Sequence, residues 1–322
     1  MRSPLSYGPT APSHMQSTTT FRNAYYIKLG RGGCWETDSL ARSLLRLGWQ
    51  HQTIDDINTG RWDTIERQLR EECAGKPQVA TTDLNRLRDI AESTSEDIWI
   101  TFHGAKLWWA RLADGEVLQD EISKYRKVQG AWSDRSATGR LLVASELPGK
   151  LAQLQGFRGT VCRVQEAELL RRVLSGTRSD LAAQLASCRA QLADSVRIAI
   201  EQLHWKDYET LVDLVFRSAG WIRISILGQQ VKGFDLELRE PITQDKYVVQ
   251  VKSQASLRDL EDTVAQFSPD DYRRVFFVVH SPSKDLAAFT GTPDHVELVA
   301  PQRLAELAID AGLSRWIEEK VA

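Results

Sequence analysis

The sequence predicts an α/β protein with a mixed α/β domain in its first half and a compact αβββαβ core in its second. Two observations carry this. From Trp205 onward the apolar residues run at helical spacing, alternate through three strands, return to helical spacing and end in a continuous run. Between Tyr25 and Val164 the order is strand, helices, then several strands. A length of 322 residues with 42% hydrophobic content suits about two domains, each with its own core.

Taken in order, residues 1–20 are rich in Ser, Thr and Pro and are expected to be disordered. Residues 21–165 read as the first domain. YYIKL predicts a strand ending at the turn Gly30 to Gly33. SLARSLLRLGW then places Leu40, Leu44, Leu45 and Leu47 at helical spacing, with Gly48 as the stop. Helices are expected at 64–72 and 82–91, the second capped by Thr82 or Asp83. DIWITFHGAKLWWARL predicts a hairpin turning at His103-Gly104-Ala105, and KVQGAWSD and GTVCRV predict further strands of a curved sheet or partial barrel. Residues 166–203 read as a helical linker broken at Ser175-Gly176. Its long second helix carries Leu181, Leu185, Cys188, Leu192, Val196 and Ile200 on one stripe.

Residues 204–322 read as the second domain. Tyr208, Leu211, Val212, Val215 and Phe216 form the apolar stripe of its first helix, with Glu209 at the stripe's edge. WIRISI predicts a strand with Ile222, Ile224 and Ile226 inward, closed by Gly228. Ser256 and Asp259 open the next helix as a capping box. RRVFFVVHS is a continuous apolar run, which suits a strand buried on both faces. A short strand and a helix, HVELVAPQRLAELAIDAGL, follow it.

The stretch from Gly233 to Lys252, GFDLELREPITQDKYVVQVK, carries the chemistry. Phe234, Leu236 and Leu238 alternate with Asp235 and Glu237; Tyr247, Val249 and Val251 alternate with Val248, Gln250 and Lys252. Paired as a hairpin, the two strands bring an acid, an amide oxygen and an ammonium to one surface. Such a set can hold a divalent cation and a water beside a phosphate. The plainer reading is a solvated face with an Asp235–Lys252 salt bridge.

Composition narrows the classes. A net charge of −2 gives no global attraction to nucleic acid, so any such surface is a local patch. The basic stretch from Lys124 to Arg172 is one candidate, with ordinary surface charge as its alternative. No run of 18 apolar residues predicts a membrane span, and the N-terminus lacks the apolar core of a signal peptide. Cys34, Cys73, Cys162 and Cys188 form no CxxC pair, which argues against disulfides and zinc and suits a reducing cytoplasm. His51, His103, His204, His280 and His295 stand isolated, without metal-ligand spacing. Seven of the ten tryptophans lie in the first half, and core packing is the simplest reading of most of them. Trp49, Trp108 and Trp132 sit beside Gly, Trp or polar residues and are the candidates for stacking a flipped base.

Glu209, Asp235, Gln250 and Lys252, in this element order, resemble the PD-(D/E)XK nuclease superfamily, and VVQVKS is similar to the QxK form of the Mrr-like restriction endonucleases. The resemblance runs from Trp205 to Leu313. It implies a metal site of Glu209, Asp235 and Gln250 holding Mg²⁺ or Mn²⁺, with Lys252 as a further catalytic residue. It also implies cleavage of double-stranded DNA. Gln250 stands where the superfamily's second acid is usual, a departure the Mrr-like branch shares. The first domain is similar to PUA/EVE-like modules that read modified bases. Together these imply a modification-dependent restriction enzyme of phage defence. A repair or recombination nuclease, or a DNA-binding module that does not cut, are the alternatives. Cutting both strands usually needs two sites, which implies a homodimer.

Overall fold

The computed structural model describes residues 20–224, 234–267 and 269–322. The expected N-terminal tail falls outside the described residues except for Thr20, as do Ile226, Gly228 and Gly233. The chain divides into two compact units, Met1–Asp180 and Leu181–Ala322.

In the first unit the elements are β1 (Ala24–Ile27), α1 (Glu36–Arg42), β2 (Leu44–Leu47), α2 (Ile54–Asn58), α3 (Trp62–Glu72), α4 (Pro77–Ala91), β3 (Ile98–His103) and β4 (Lys106–Ala110). They continue with β5 (Leu118–Gln119), β6 (Lys124–Lys127), α5 (Gly149–Ala152), β7 (Val161–Arg163) and α6 (Ala167–Ser175). One sheet has the order β4-β3-β1-β7, with β1 parallel to β3 and the other pairs antiparallel. A second, antiparallel sheet has the order β2-β6-β5. Strand alternation explains why all four residues of β1 are buried. Tyr25 and Ile27 enter one core cluster while Ala24 and Tyr26 enter another, so the sheet is covered on both faces. The β3–β4 hairpin closes at Gly104 and Ala105, with φ of 57° and 59°. Two left-handed residues make the tight turn whose twist matches paired strands.

Three sequence expectations change here. The helix expected through Leu47 stops at Arg42, because Ser43 turns left-handed at φ 55° and LLRL becomes β2. Leu44, Leu45 and Leu47 fit helical spacing as well as a short buried strand, and pairing with β6 decides for the strand. The helix expected from Thr82 begins instead at Pro77, which suits the first helical turn, and the Thr82 hydroxyl donates to Gln78 O inside the helix. Two members of the basic stretch are not on the surface. Lys124 is 3% exposed and donates to Trp49 O and Gln50 O. Arg126 is 2% exposed and donates to the carbonyls of Ile90, Ala91, Ser93 and Ala113. These cations tie loops and the C-terminal end of α4 to the second sheet.

The second unit is built from α7 (Asp180–Glu201), α8 (Trp205–Ser218), β8 (Ile222–Arg223), β9 (Leu236–Arg239), β10 (Lys246–Ala255) and α9 (Leu257–Gln266). It ends with β11 (Arg274–Pro282), α10 (Lys284–Ala287), β12 (Val296–Val299), α11 (Pro301–Asp310) and α12 (Ser314–Val321). The sheet order is β12-β11-β10-β9-β8. β10, β11 and β12 run parallel, while β9 and β8 pair antiparallel. β11 is buried on both sides: Val278 packs into one core cluster, and Val275, Phe277 and Val279 into the other. Ser256 and Asp259 form the capping box of α9. In α7 only the C-terminal part of the expected stripe is buried. Val196 and Ile200 join the core with the α8 stripe, whereas Leu181 and Leu185 remain 65% and 62% exposed. Ile222, expected inward, is 45% exposed, because β8 is a two-residue edge strand.

Candidate active site

The β9–β10 hairpin sets the site. Leu236 pairs with Val249 and Leu238 with Tyr247, so these four share the face turned to the α8 core. Glu237 pairs with Val248 on the other face. Asp235 lies just before β9, where its backbone N–H donates to Val249 O at 3.1 Å. Its carboxylate then turns onto β10. Oδ2 accepts from the Gln250 side-chain amide at 2.7 Å and from the Val251 backbone N–H at 2.6 Å. Oδ1 has no hydrogen bond among the described residues.

Three sequence-chosen residues therefore meet on the sheet. Gln250 is 9% exposed, and its amide orients the Asp235 carboxylate. Lys252, two residues on and half-buried, acts through its charge. Burial raises the Asp235 pKa above the usual carboxylate range, while the Val251 N–H, Lys252 and Arg223 oppose that rise. Asp235 and Lys252 form no salt bridge among the described residues, so the solvated ion-pair reading of this face does not describe it. Lys252 also helps hold Asp259 below its normal range, secondary to the hydrogen bonds from Ser256.

Glu209 comes from α8, one residue after the buried Tyr208. Its pKa is raised by burial and then by the negative charge of Asp235, and lowered by Arg223 and Lys206. The two carboxylates are thus close enough to repel each other. Among the described residues no three His, Cys, Asp or Glu side chains gather to hold a metal. The available set is two acids and one amide, all hard oxygen donors of the kind that suits Mg²⁺ or Mn²⁺. The free Oδ1 of Asp235 and its mutual repulsion with Glu209 fit a divalent cation at this point.

Arg223 was missed in the sequence. It sits on β8, donates to Asp213 at 3.4 Å, and its charge reaches both Asp235 and Glu209. In the sequence it is one arginine inside WIRISI, and only the pairing of β8 with β9 reveals its neighbours.

In the first unit, Trp132 is 5% exposed, with its indole N–H donating to Leu44 O at 2.9 Å; it is a core residue. Trp49 and Trp108 are half-buried and pack against the same core. Trp49 adopts φ 57° and its carbonyl accepts from Lys124. The Trp108 indole donates to His103 O, and the Lys106 ammonium lies 6.0 Å from its ring centroid.

The restriction endonuclease family model, of the Mrr catalytic type, matches residues 200–308. Residues 200–308 are a restriction endonuclease domain. The match spans the α8 to β12 region and contains Glu209, Asp235, Gln250 and Lys252. Two solved structures are similar to the chain at 13% identity. One is the DNA modification-dependent restriction endonuclease AspBHI, with a TM-score of 0.32 over 69% of this chain and 68% of that one. The other is the MspJI restriction endonuclease in complex with a 27-mer oligonucleotide, with a TM-score of 0.23 over 76% of this chain and 68% of that one. No curated protein matches. No helix among the described residues is long and apolar enough to cross a membrane.

Proposed function

We propose that the endonuclease domain hydrolyses phosphodiester bonds of double-stranded DNA with Mg²⁺ or Mn²⁺ held by Asp235, Gln250 and Glu209. The observation that carries this is the Asp235 carboxylate fixed on β10 by Gln250 and the Val251 N–H, with Oδ1 left open beside Lys252. A bound divalent cation supplies Lewis acidity to the scissile phosphate and lowers the pKa of its water. Asp235 provides a positioned anionic oxygen. Gln250 fixes which oxygen that is. The Lys252 ammonium orients the attacking water or offsets negative charge developing on the phosphoryl oxygens, as a compact point charge can. The first unit selects the DNA, through a methylated or otherwise modified base stacked on Trp49 or Trp108, and the enzyme acts in the cytoplasm as a defence nuclease. A homodimer places one site on each strand. The test is cleavage of methylated, unmodified and branched duplexes side by side with added Mg²⁺. Preference for the branched duplex indicates a repair nuclease instead.

A second reading has a specific observation behind it. Gln250 replaces an acid, and the described residues offer no three-acid metal group. A DNA-binding module on a nuclease fold would have this site and would bind duplex DNA with no need of a divalent cation. Titrating Mg²⁺ or Mn²⁺ against binding and cleavage separates the two.

A further inference from the structure

The face of α8 that presents Glu209 also presents Trp205 and Tyr208, at i, i+3 and i+4. Beside Lys252 these residues border a cleft of about 450 Å³, completed by Leu203, Val251, Ser253 and His280. That volume falls in the range of small-ligand sites, roughly 300–1,000 Å³. The lining is mixed in a particular way. Trp205 is 51% exposed, so part of its ring is open to a ligand. Tyr208 is 2% exposed, yet its hydroxyl has no hydrogen-bond partner among the described residues. A buried phenol ordinarily finds a partner, because an unpaired one loses its water without compensation. His280 does not supply it. Its ring packs edge-on to Tyr208 at 4.9 Å, while Nε2 donates to Ile200 O and Nδ1 pairs with the Ser281 hydroxyl.

We propose that this cleft holds one unpaired nucleotide next to the scissile phosphate, its base stacked on Trp205 and one of its oxygen or nitrogen acceptors bonded to the Tyr208 hydroxyl. The proposal rests on the nuclease reading of Lys252 and Glu209, which border the same cleft. An aromatic ring accepts any base by stacking, and a single orphan donor suits an acceptor that all nucleotides share. The cleft admits one nucleoside and not a base pair, so the flanking nucleotide leaves the helical stack before cleavage.

The test compares fully paired duplexes with duplexes mismatched beside the mapped cut, using the intact protein and Mg²⁺. The wild type is expected to show a lower KM for the mismatched duplex, whose flanking nucleotide is already unpaired. Trp205→Ala removes that advantage and raises KM about tenfold, and Trp205→Phe restores most of it. Tyr208→Phe raises KM about threefold to tenfold while Tm stays level or rises, since the lost hydroxyl has no partner within the protein. A purely structural Tyr208 would leave KM unchanged in this variant. Wild-type KM in both Trp205→Ala and Tyr208→Phe overturns the proposal and leaves the nuclease reading intact. Should the wild type cut no DNA, 2-aminopurine deoxynucleoside monophosphate serves as the probe. Its fluorescence is quenched on binding to the wild type and unquenched with Trp205→Ala if the cleft takes a nucleotide; equal fluorescence with both overturns the proposal.

Discussion

Replacing Gln250 with Leu isolates the contact on which the site is built. The side chain is 9% exposed and its amide donates to the Asp235 carboxylate at 2.7 Å. Leu fills a similar volume but donates nothing, leaving Oδ2 with the Val251 N–H alone. A hydrogen bond to a charged group contributes about 1.5–3 kcal/mol. For a unit of this size a loss of about 2 kcal/mol corresponds to a fall in Tm of roughly 5–10 °C. The pH dependence follows from the charge. A protonated carboxyl needs the amide less, so the deficit is full where Asp235 is ionised. Burial raises the Asp235 pKa, so folding favours its protonated form. The deficit therefore shrinks as the pH falls through that raised pKa toward the ordinary carboxyl value of about 4. Differential scanning fluorimetry of both proteins from neutral to acid pH, in EDTA, measures it. Gln250→Glu supplies the second arm. Two carboxylates then face each other, so this variant is also destabilised in EDTA, and added Mg²⁺ restores it. A Gln250→Leu protein as stable as the wild type at neutral pH would refute the idea that Gln250 grips Asp235.

Three further outcomes are expected. Asp235→Asn keeps both hydrogen bonds if its amide oxygen takes the place of Oδ2, and it removes a charge that burial disfavours; the metal-free protein is then more stable at neutral pH, the gain fades in acid, and cleavage is lost, all readable from Tm against pH beside a plasmid nicking assay. Arg46 is 0% exposed and binds Asp38 and Asp120, so Arg46→Ala costs about 3 kcal/mol by chemical denaturation. Arg46 holds Asp120 well below the usual carboxylate range, so this stability is fully present above the ordinary carboxyl pKa and is lost as pH falls through the depressed one, which narrows the gap between wild type and variant in strong acid. Trp132→Ala empties a core position and costs about 3–5 kcal/mol, whereas Trp108→Ala, half-buried, costs less and is the informative variant for binding of modified DNA.

The β9–β10 hairpin was legible in the sequence because strand alternation is local. Period two and a turn were enough to expect these two strands to pair, and the pairing of Leu236 with Val249 shows that they do; Gln250 then meets Asp235 through a hydrogen bond. β11 was legible because a strand covered on both faces must be apolar throughout. Glu209 was found as an acid at the edge of an apolar stripe. What stayed hidden depends on contacts distant in sequence. LLRL satisfies two periods, and only β6 selects the strand. Lys124 and Arg126 look like surface charge until the carbonyls they serve are seen to come from a loop and the end of α4, more than 30 residues earlier in the chain. Trp205 and Tyr208 looked like ordinary members of an amphipathic helix, and an orphan hydroxyl has no sequence signature.

Lys252 tests the proposed chemistry most directly: its side chain is half-buried and forms no salt bridge with Asp235 among the described residues. Purified wild type and Lys252→Ala are incubated with modified and unmodified plasmid DNA in Mg²⁺ and in EDTA, with Tm recorded for both proteins. The expected result is cleavage by the wild type in Mg²⁺ only, a drop of at least about a hundredfold in the variant, and closely matched Tm values. Undiminished cutting by Lys252→Ala, or cutting by the wild type that persists in EDTA, would contradict it.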